Sequence, residues 1–174
     1  MSDVNEIVVT VIGRDRPGAV ADVSGVLAEL GLNLTDSSMT LLRGHFAMTL
    51  VCAGSASVAA VAAALAPLAA DGLVTTVGVP PTAGADAAVG SPYTVVVHGG
   101  DRLGIVAAVT AALAAAGANI TDLSTRLVGD LYVLTAEVDL PPGADLAALE
   151  QELDAVADRL SVAIVLRPNE ADVL

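Results

Sequence analysis

The sequence predicts an α+β protein made of two tandem copies of one β-α-β-β-α-β unit. Three observations predict it. The chain repeats itself without a gap at an offset of 86 residues, placing Ile7 on Tyr93. In each copy the apolar period switches between strand-like and helix-like in the same order. Between the copies lies VPPTAGADAAVGSP, Val79–Pro92, which is rich in Pro, Gly and Ala and has no apolar period, as a linker requires. The expected division is a first domain over residues 1–79, a linker over 80–92 and a second domain over 93–174.

Each element follows from local pattern. The copies open with β-branched runs, Ile7–Ile12 and Thr94–His98, that read as buried strands. Val20, Val23, Leu27 and Leu30 then fall on one helical face, and Val106, Val109, Leu113 and Ala116 repeat it. Gly31 and Gly117 stand where a helix stop is needed. Asn33–Leu42 and His45–Ala53 flank Arg43-Gly44 as a hairpin, and Asn119–Val128 and Leu131–Leu140 flank Gly129-Asp130. A second helix carries Val58, Val61, Leu65 and Leu68, or Leu146, Leu149, Leu153 and Val156. Leu73–Val79 and Ser161–Leu166 close the units. This order is the ferredoxin-like, split βαβ plan, with an antiparallel sheet and both helices on one face. The other face stays uncovered and rather apolar, so it is expected to pack on another copy.

Composition narrows the function. Of the 174 residues, 55% are hydrophobic and 16% charged; the net charge is −13, with seven Lys plus Arg. All seven are Arg. A nucleic-acid partner needs a cationic footprint, and an anionic membrane surface needs the same, so neither is expected. Cys52 is the only cysteine, which leaves no disulfide framework and no CxxC motif. The N-terminus lacks the positive region of a signal peptide, and the apolar stretches are too short to span a bilayer, so a cytoplasmic protein is expected. Low surface charge points to an oligomer, with a homodimer as the simplest form.

Several functions share this plan, so the site has to decide. RNA-recognition modules need aromatics on the central strands. Here those strands carry Val, Thr, Met and Leu. Metal-carrying modules and ferredoxins need cysteines that are absent. An acylphosphatase would use an Arg and an Asn, and Asp15 beside Arg16 opposes an acyl phosphate. His45 and His98 lack metal-ligand spacing, and no metal or cofactor is expected. No Ser/His/Asp or Cys/His grouping is visible, which argues against an enzyme.

What remains is carried by two corners. The first copy has Gly-Arg-Asp-Arg-Pro-Gly, Gly13–Gly18, then a helix, then Gly-Leu-Asn-Leu-Thr-Asp, Gly31–Asp36. The second has Gly-Gly-Asp-Arg-Leu-Gly, Gly99–Gly104, and Gly-Ala-Asn-Ile-Thr-Asp, Gly117–Asp122. This pattern resembles the ACT domain over nearly the whole chain outside the termini and linker. Two such domains with no catalytic domain resemble the glycine cleavage system transcriptional repressor family. The resemblance implies an amino acid held between the first turn of one domain and the helix-to-strand corner of another. It also implies regulation through contact with a protein or enzyme partner.

The residues suit such a ligand. Gly18 and Gly104 let the backbone approach closely. Amides near Ala19-Val20 and Ile105-Val106 can receive a carboxylate at the helix start. Asp15 and Asp101 can accept from an ammonium group. Asn33 and Asn119 offer a donor and an acceptor, beside Leu34 and Ile120. Many family members have Asn where this chain has Asp15 and Asp101, and Asp cannot donate, so the ligand's identity stays open. Structural roles stand beside each of these. Asp15 and Asp101 can cap the helix. Pro17 suits a first helical turn. Gly18 and Gly104 can serve close helix–sheet packing. Asn33 and Asn119 can tolerate a left-handed turn. Arg16 and Arg102 can pair with Asp22, Asp36 or Asp122, while Thr35-Asp36 and Thr121-Asp122 suit a strand edge. Two other functions compete with sensing: a detached regulatory subunit of an amino-acid enzyme, and an oligomerisation module without ligand. The copies are expected to pack as a pseudo-dimer with unequal sites.

Overall fold

The computed structural model describes residues 5–80 and 90–169. Most of the expected linker, 81–89, lies outside the described residues. The chain divides into two compact units, Met1–Ala83 and Gly84–Leu174. The first holds β1 (Asn5–Arg14), α1 (Ala19–Glu29), β2 (Asn33–Leu42), β3 (His45–Gly54), α2 (Val58–Leu65), a 3₁₀ turn (Ala66–Asp71) and β4 (Leu73–Gly78). The second holds β5 (Ser91–Gly100), α3 (Ile105–Ala115), β6 (Asn119–Val128), β7 (Leu131–Leu140), α4 (Leu146–Leu160) and β8 (Val162–Pro168). The sheets run β2-β3-β1-β4 and β6-β7-β5-β8, and every neighbouring pair is antiparallel. This is the expected ferredoxin-like architecture, twice.

Strand alternation builds each core. Ile7, Val9 and Val11 of β1 and Phe46, Leu50 and Cys52 of β3 point to one side and are at most 1% exposed. They cluster with Val23 and Leu27 of α1 and Val61 and Leu65 of α2. In the second unit Val95, Val97, Leu134, Ala136 and Val138 cluster with Val109, Leu113, Leu149, Leu153 and Val156. Each buried Val or Leu side chain stabilises the fold by roughly 1.5–3 kcal/mol.

The first helix of each unit buries a slightly different stripe from the one its sequence suggested. Ala19, Val23 and Leu27 are buried, as are Ile105, Val109, Ala112 and Leu113, whereas Val20 and Val106 are 39% and 37% exposed. The helices start at Ala19 and Ile105, which seats those residues against the core. The next residue lies about 100° further round the axis. The second helix of the first unit also ends sooner, at Leu65. Pro67 has no N–H to continue the α-helical ladder, and the chain tightens into the 3₁₀ turn that still buries Leu68.

The expected stops and turns hold. Gly31 and Gly117 have φ of 69° and 72°. Gly31 N–H donates to Ala28 O (2.9 Å) and Leu32 N–H to Leu27 O (3.1 Å), a Schellman cap that Gly117 and Ala118 repeat with Ala114 and Leu113. Arg43 and Gly44 both have positive φ, 51° and 82°, as a two-residue type I′ hairpin requires. The opening strand of each unit runs longer than expected. Ser91 and Pro92, assigned to the linker, pair with Leu140 and Asp139 at the start of β5. Pro92 is tolerated because pairing of β5 with β8 begins only at Tyr93. At the other end, Ser161 has φ 53° and caps α4, so β8 begins at Val162.

Thr35 and Thr121 have a specific local role. The β2–β3 register shifts between Leu34 and Asp36, and the β6–β7 register between Ile120 and Asp122. Each threonine is the extra residue of a bulge. Its hydroxyl donates to the facing strand, Thr35 to Val51 O (3.2 Å) and Thr121 to Glu137 O (3.3 Å).

Candidate functional site

The site region is the turn that leads β1 into α1, and its copy between β5 and α3. The Asp15 amide donates to Gly44 O (3.1 Å), tying the turn to the β2–β3 hairpin. Gly18 and Gly104 follow with φ of 89° and 90° and occupy the N-cap position. That conformation is left-handed and favours glycine. No side chain caps either helix. Asp15 and Asp101 are therefore not the helix caps, because the left-handed glycine takes that place and cannot cap. Pro17 precedes the helix rather than opening its first turn. Space around the glycines decides against close packing as their role. A Cβ on Gly104 would meet nothing within 4 Å, and one on Gly18 only Arg16 Nη1 at 3.7 Å. Gly13 and Gly99 are packed closely by contrast: an added Cβ would lie 2.5 Å from Gly72 O and 2.9 Å from Val162 Cγ1.

With no side-chain cap, the first helical amides face outward. The Ala19 amide is an exception: it donates to Arg16 O (3.3 Å), so it is not free as the sequence suggested. The open donors in the first unit are Val20 and Ala21. Ala19 and Ile105 are buried as whole residues, at 3% and 2% exposure, so neither presents appreciable surface to a ligand.

An open hollow of about 440 Å³ lies at the first turn, lined by Asp15, Arg16, Gly18, Ala19, Val20, Ala21, Met39 and Phe46. One of about 490 Å³ lies at the second, lined by Asp101, Arg102, Leu103, Gly104, Ile105, Val106, Ala107 and Tyr132. The duplicated turns thus gather Asp15, Gly18, Ala19 and Val20 in one unit, and Asp101, Gly104, Ile105 and Val106 in the other. Met39, Phe46 and Tyr132 were not singled out as site residues. The 86-residue offset pairs Phe46 with Tyr132, and the hairpin register sets Met39 opposite Met48, next to Phe46 on the same strand face.

Asn33, Leu34, Asn119 and Ile120 lie elsewhere. Asn33 pairs with Ala53, and Ala53 with Glu6 at the start of β1; Asn119 pairs with Asp139. Asp15 follows the opposite end of β1. The 11 residues of α1 separate the two corners by about 16 Å. No single unit brings the asparagine corner to its own hollow. Asn33 and Asn119 are also strand residues: among the described residues, the non-glycine residues with positive φ are Arg43 and Ser161. They do not serve a left-handed turn.

Electrostatics differ between the copies. Arg16 Nη2 lies 2.6 Å from Asp22 Oδ2 and 3.5 Å from Asp71 Oδ2. The first pairing was among those expected; the second comes from the turn before β4. Arg102 has no ion-pair partner among the described residues. Its helix has Ala108 where the first has Asp22. No helix among the described residues is long and apolar enough to cross a membrane.

The ACT domain profile matches residues 5–77 and 93–167. A crystal structure of an unknown protein from Galdieria sulphuraria is 30% identical and superimposes with a TM-score of 0.78, covering 97% of this chain and 100% of that one. A "putative glycine cleavage system transcriptional repressor" is 23% identical with a TM-score of 0.71, covering 98% and 100%, and shares the fold. Among curated relatives, a UPF0237 protein of Methanopyrus kandleri is 59% identical over 44 residues, 25% of this chain and 49% of that one. A UPF0237 protein of Listeria monocytogenes is 51% identical over 45 residues, 26% and 51%. The chain spans about half the length of the curated relatives it matches. It belongs to the ACT domain family of amino-acid-binding regulatory modules and carries that domain twice.

Proposed function

We propose that this chain is a non-catalytic amino-acid sensor that regulates transcription or metabolism through contact with a protein partner. One observation carries the reading. In both units a left-handed glycine replaces the helix cap and leaves the first amides open onto a hollow that also holds a carboxylate, Asp15 or Asp101. An amino acid offers the complementary pair, a carboxylate for the amides and an ammonium for the aspartate. The hollow is open to solvent, and the asparagine corner of a second chain, Asn33 or Asn119, completes it. Such a site makes ligand binding sensitive to how domains meet, which is how a sensor passes a signal. The cytoplasm and a homodimer fit this role.

A thermal-shift panel of the twenty amino acids on the full chain tests it. A specific rise in Tm that is lost in Asn33→Ala or Asn119→Ala supports sensing. A flat panel with an unchanged oligomer by light scattering overturns it in favour of a module that only oligomerises.

A further inference from the structure

We infer that the two duplicated sites have diverged in ligand class, and that the second is selective for an amino acid with an acidic side chain through Arg102 and Tyr132. This rests on the reading of the two hollows as amino-acid sites.

The hollows share a backbone and differ in chemistry. In the first, Arg16 is held by two carboxylates of its own unit, Asp22 at 2.6 Å and Asp71 at 3.5 Å. A ligand carboxylate would have to displace them. The remaining charge in that hollow is Asp15, and its floor is Met39 and Phe46. A second negative group entering there meets net negative charge and apolar surface. In the second hollow both restraints are gone. Ala108 stands at the position of Asp22, and Leu160-Ser161, entering β8, carries no carboxylate where Asp71 precedes β4. Arg102 is exposed, lines the hollow, and has no ion-pair partner among the described residues. Tyr132 stands where the first hollow has Phe46, so the aromatic lining residue there carries a hydroxyl.

The donors therefore divide naturally. The helix-start amides take the α-carboxylate, as in the first site, and Asp101 takes the ammonium. Arg102 is left to hold a side-chain carboxylate in a bidentate, charge-assisted pair, with the Tyr132 hydroxyl as a further donor. Arg102 and Tyr132 are specificity residues on this reading, while the glycine turn supplies binding common to both sites.

Titration calorimetry on the full chain tests the inference, with L-aspartate and L-glutamate against L-alanine and L-serine. The acidic pair should bind roughly tenfold tighter or better, the factor expected of one charge-assisted pair. Arg102→Gln should abolish that preference while keeping the binding of L-alanine and L-serine and the thermal melt. Tyr132→Phe should reduce the preference by a smaller factor. Replacing both Asp22 and Asp71 by Ala releases Arg16 and should raise the number of L-aspartate molecules bound. Equal affinity for acidic and neutral amino acids, or a preference that survives Arg102→Gln, overturns the inference and leaves the sensor reading standing. Absence of binding by all twenty amino acids removes the sensor reading itself.

Discussion

The guanidinium of Arg16 and the carboxylate of Asp22 meet at 2.6 Å across the start of α1, with side chains 31% and 43% exposed. The pair spans six residues and joins the glycine turn to the first helical turn. Its short distance does not make it a major source of stability, because water screens both partners. Asp22→Ala is expected to lower unfolding free energy by less than about 1 kcal/mol. Urea titration of the variant checks this, and a loss well above that value would show the pair to be structural.

The two kinds of glycine in and after α1 should respond in opposite directions. Gly25 is exposed inside the helix, and a Cβ there meets nothing within 4 Å. Gly25→Ala should stabilise by about 0.5–1 kcal/mol. Gly31 has φ 69°, and Gly31→Ala should destabilise by roughly 1 kcal/mol even though space is free. Opposite shifts in Tm would confirm that conformation, not crowding, sets Gly31.

Gly13 fails for the other reason. Its added Cβ would lie 2.5 Å from the Gly72 carbonyl oxygen, a backbone atom that cannot swing aside. Gly13→Ala is expected to cost about 1–3 kcal/mol by forcing β1 and β4 apart. Chemical denaturation measures it, and a neutral result would mean that the β1–β4 edge is looser than described.

Cys52 is fully buried in the core of the first unit, and burial pushes its thiol pKa up. Two outcomes follow. A thiol reagent at neutral pH should label the native protein only at the rate of opening, and label it at once in denaturant. The sign for stability runs against alkali. The neutral thiol's contribution is complete below the ordinary thiol pKa, and falls as pH rises from there through the elevated native value. Unfolding free energies at rising pH, wild type against Cys52→Ala, would reveal a steeper alkaline loss in the wild type.

Much of this fold is legible along the chain because its determinants are local. The period of Val9 and Val11, the stripe of Val23 and Leu27, and the Gly31 stop each depend on neighbours within a turn or two. Repetition in the second unit makes each of them visible twice. Val20 was misplaced because it lies about 60° round the axis from Val23, on the flank of the buried stripe that Ala19 and Leu27 complete. Pro92 was misplaced because a proline in a strand is read as a break until the one-sided pairing of that strand end is known.

The proposed site was legible in part. Asp15, Gly18 and their copies sit within four residues of one another, so the turn could be read directly. Phe46 and Tyr132 reach the hollow from another strand, and only β-sheet register brings them there. Asn33 and Asp15 belong to one motif in the sequence, yet α1 holds them at opposite ends of the unit.

By itself the sequence determined the duplicated βαββαβ plan, the glycine turns and the absence of a cationic surface, because periodicity, backbone freedom and charge are properties of short segments. Only the tertiary structure decided that Gly18 and not Asp15 occupies the N-cap position, that Asp71 reaches Arg16 across the fold, and that Arg102 has no such partner among the described residues. Those outcomes turn on distances between groups far apart in the chain, and an ångström or two there separates a neutralised guanidinium from one able to hold a ligand.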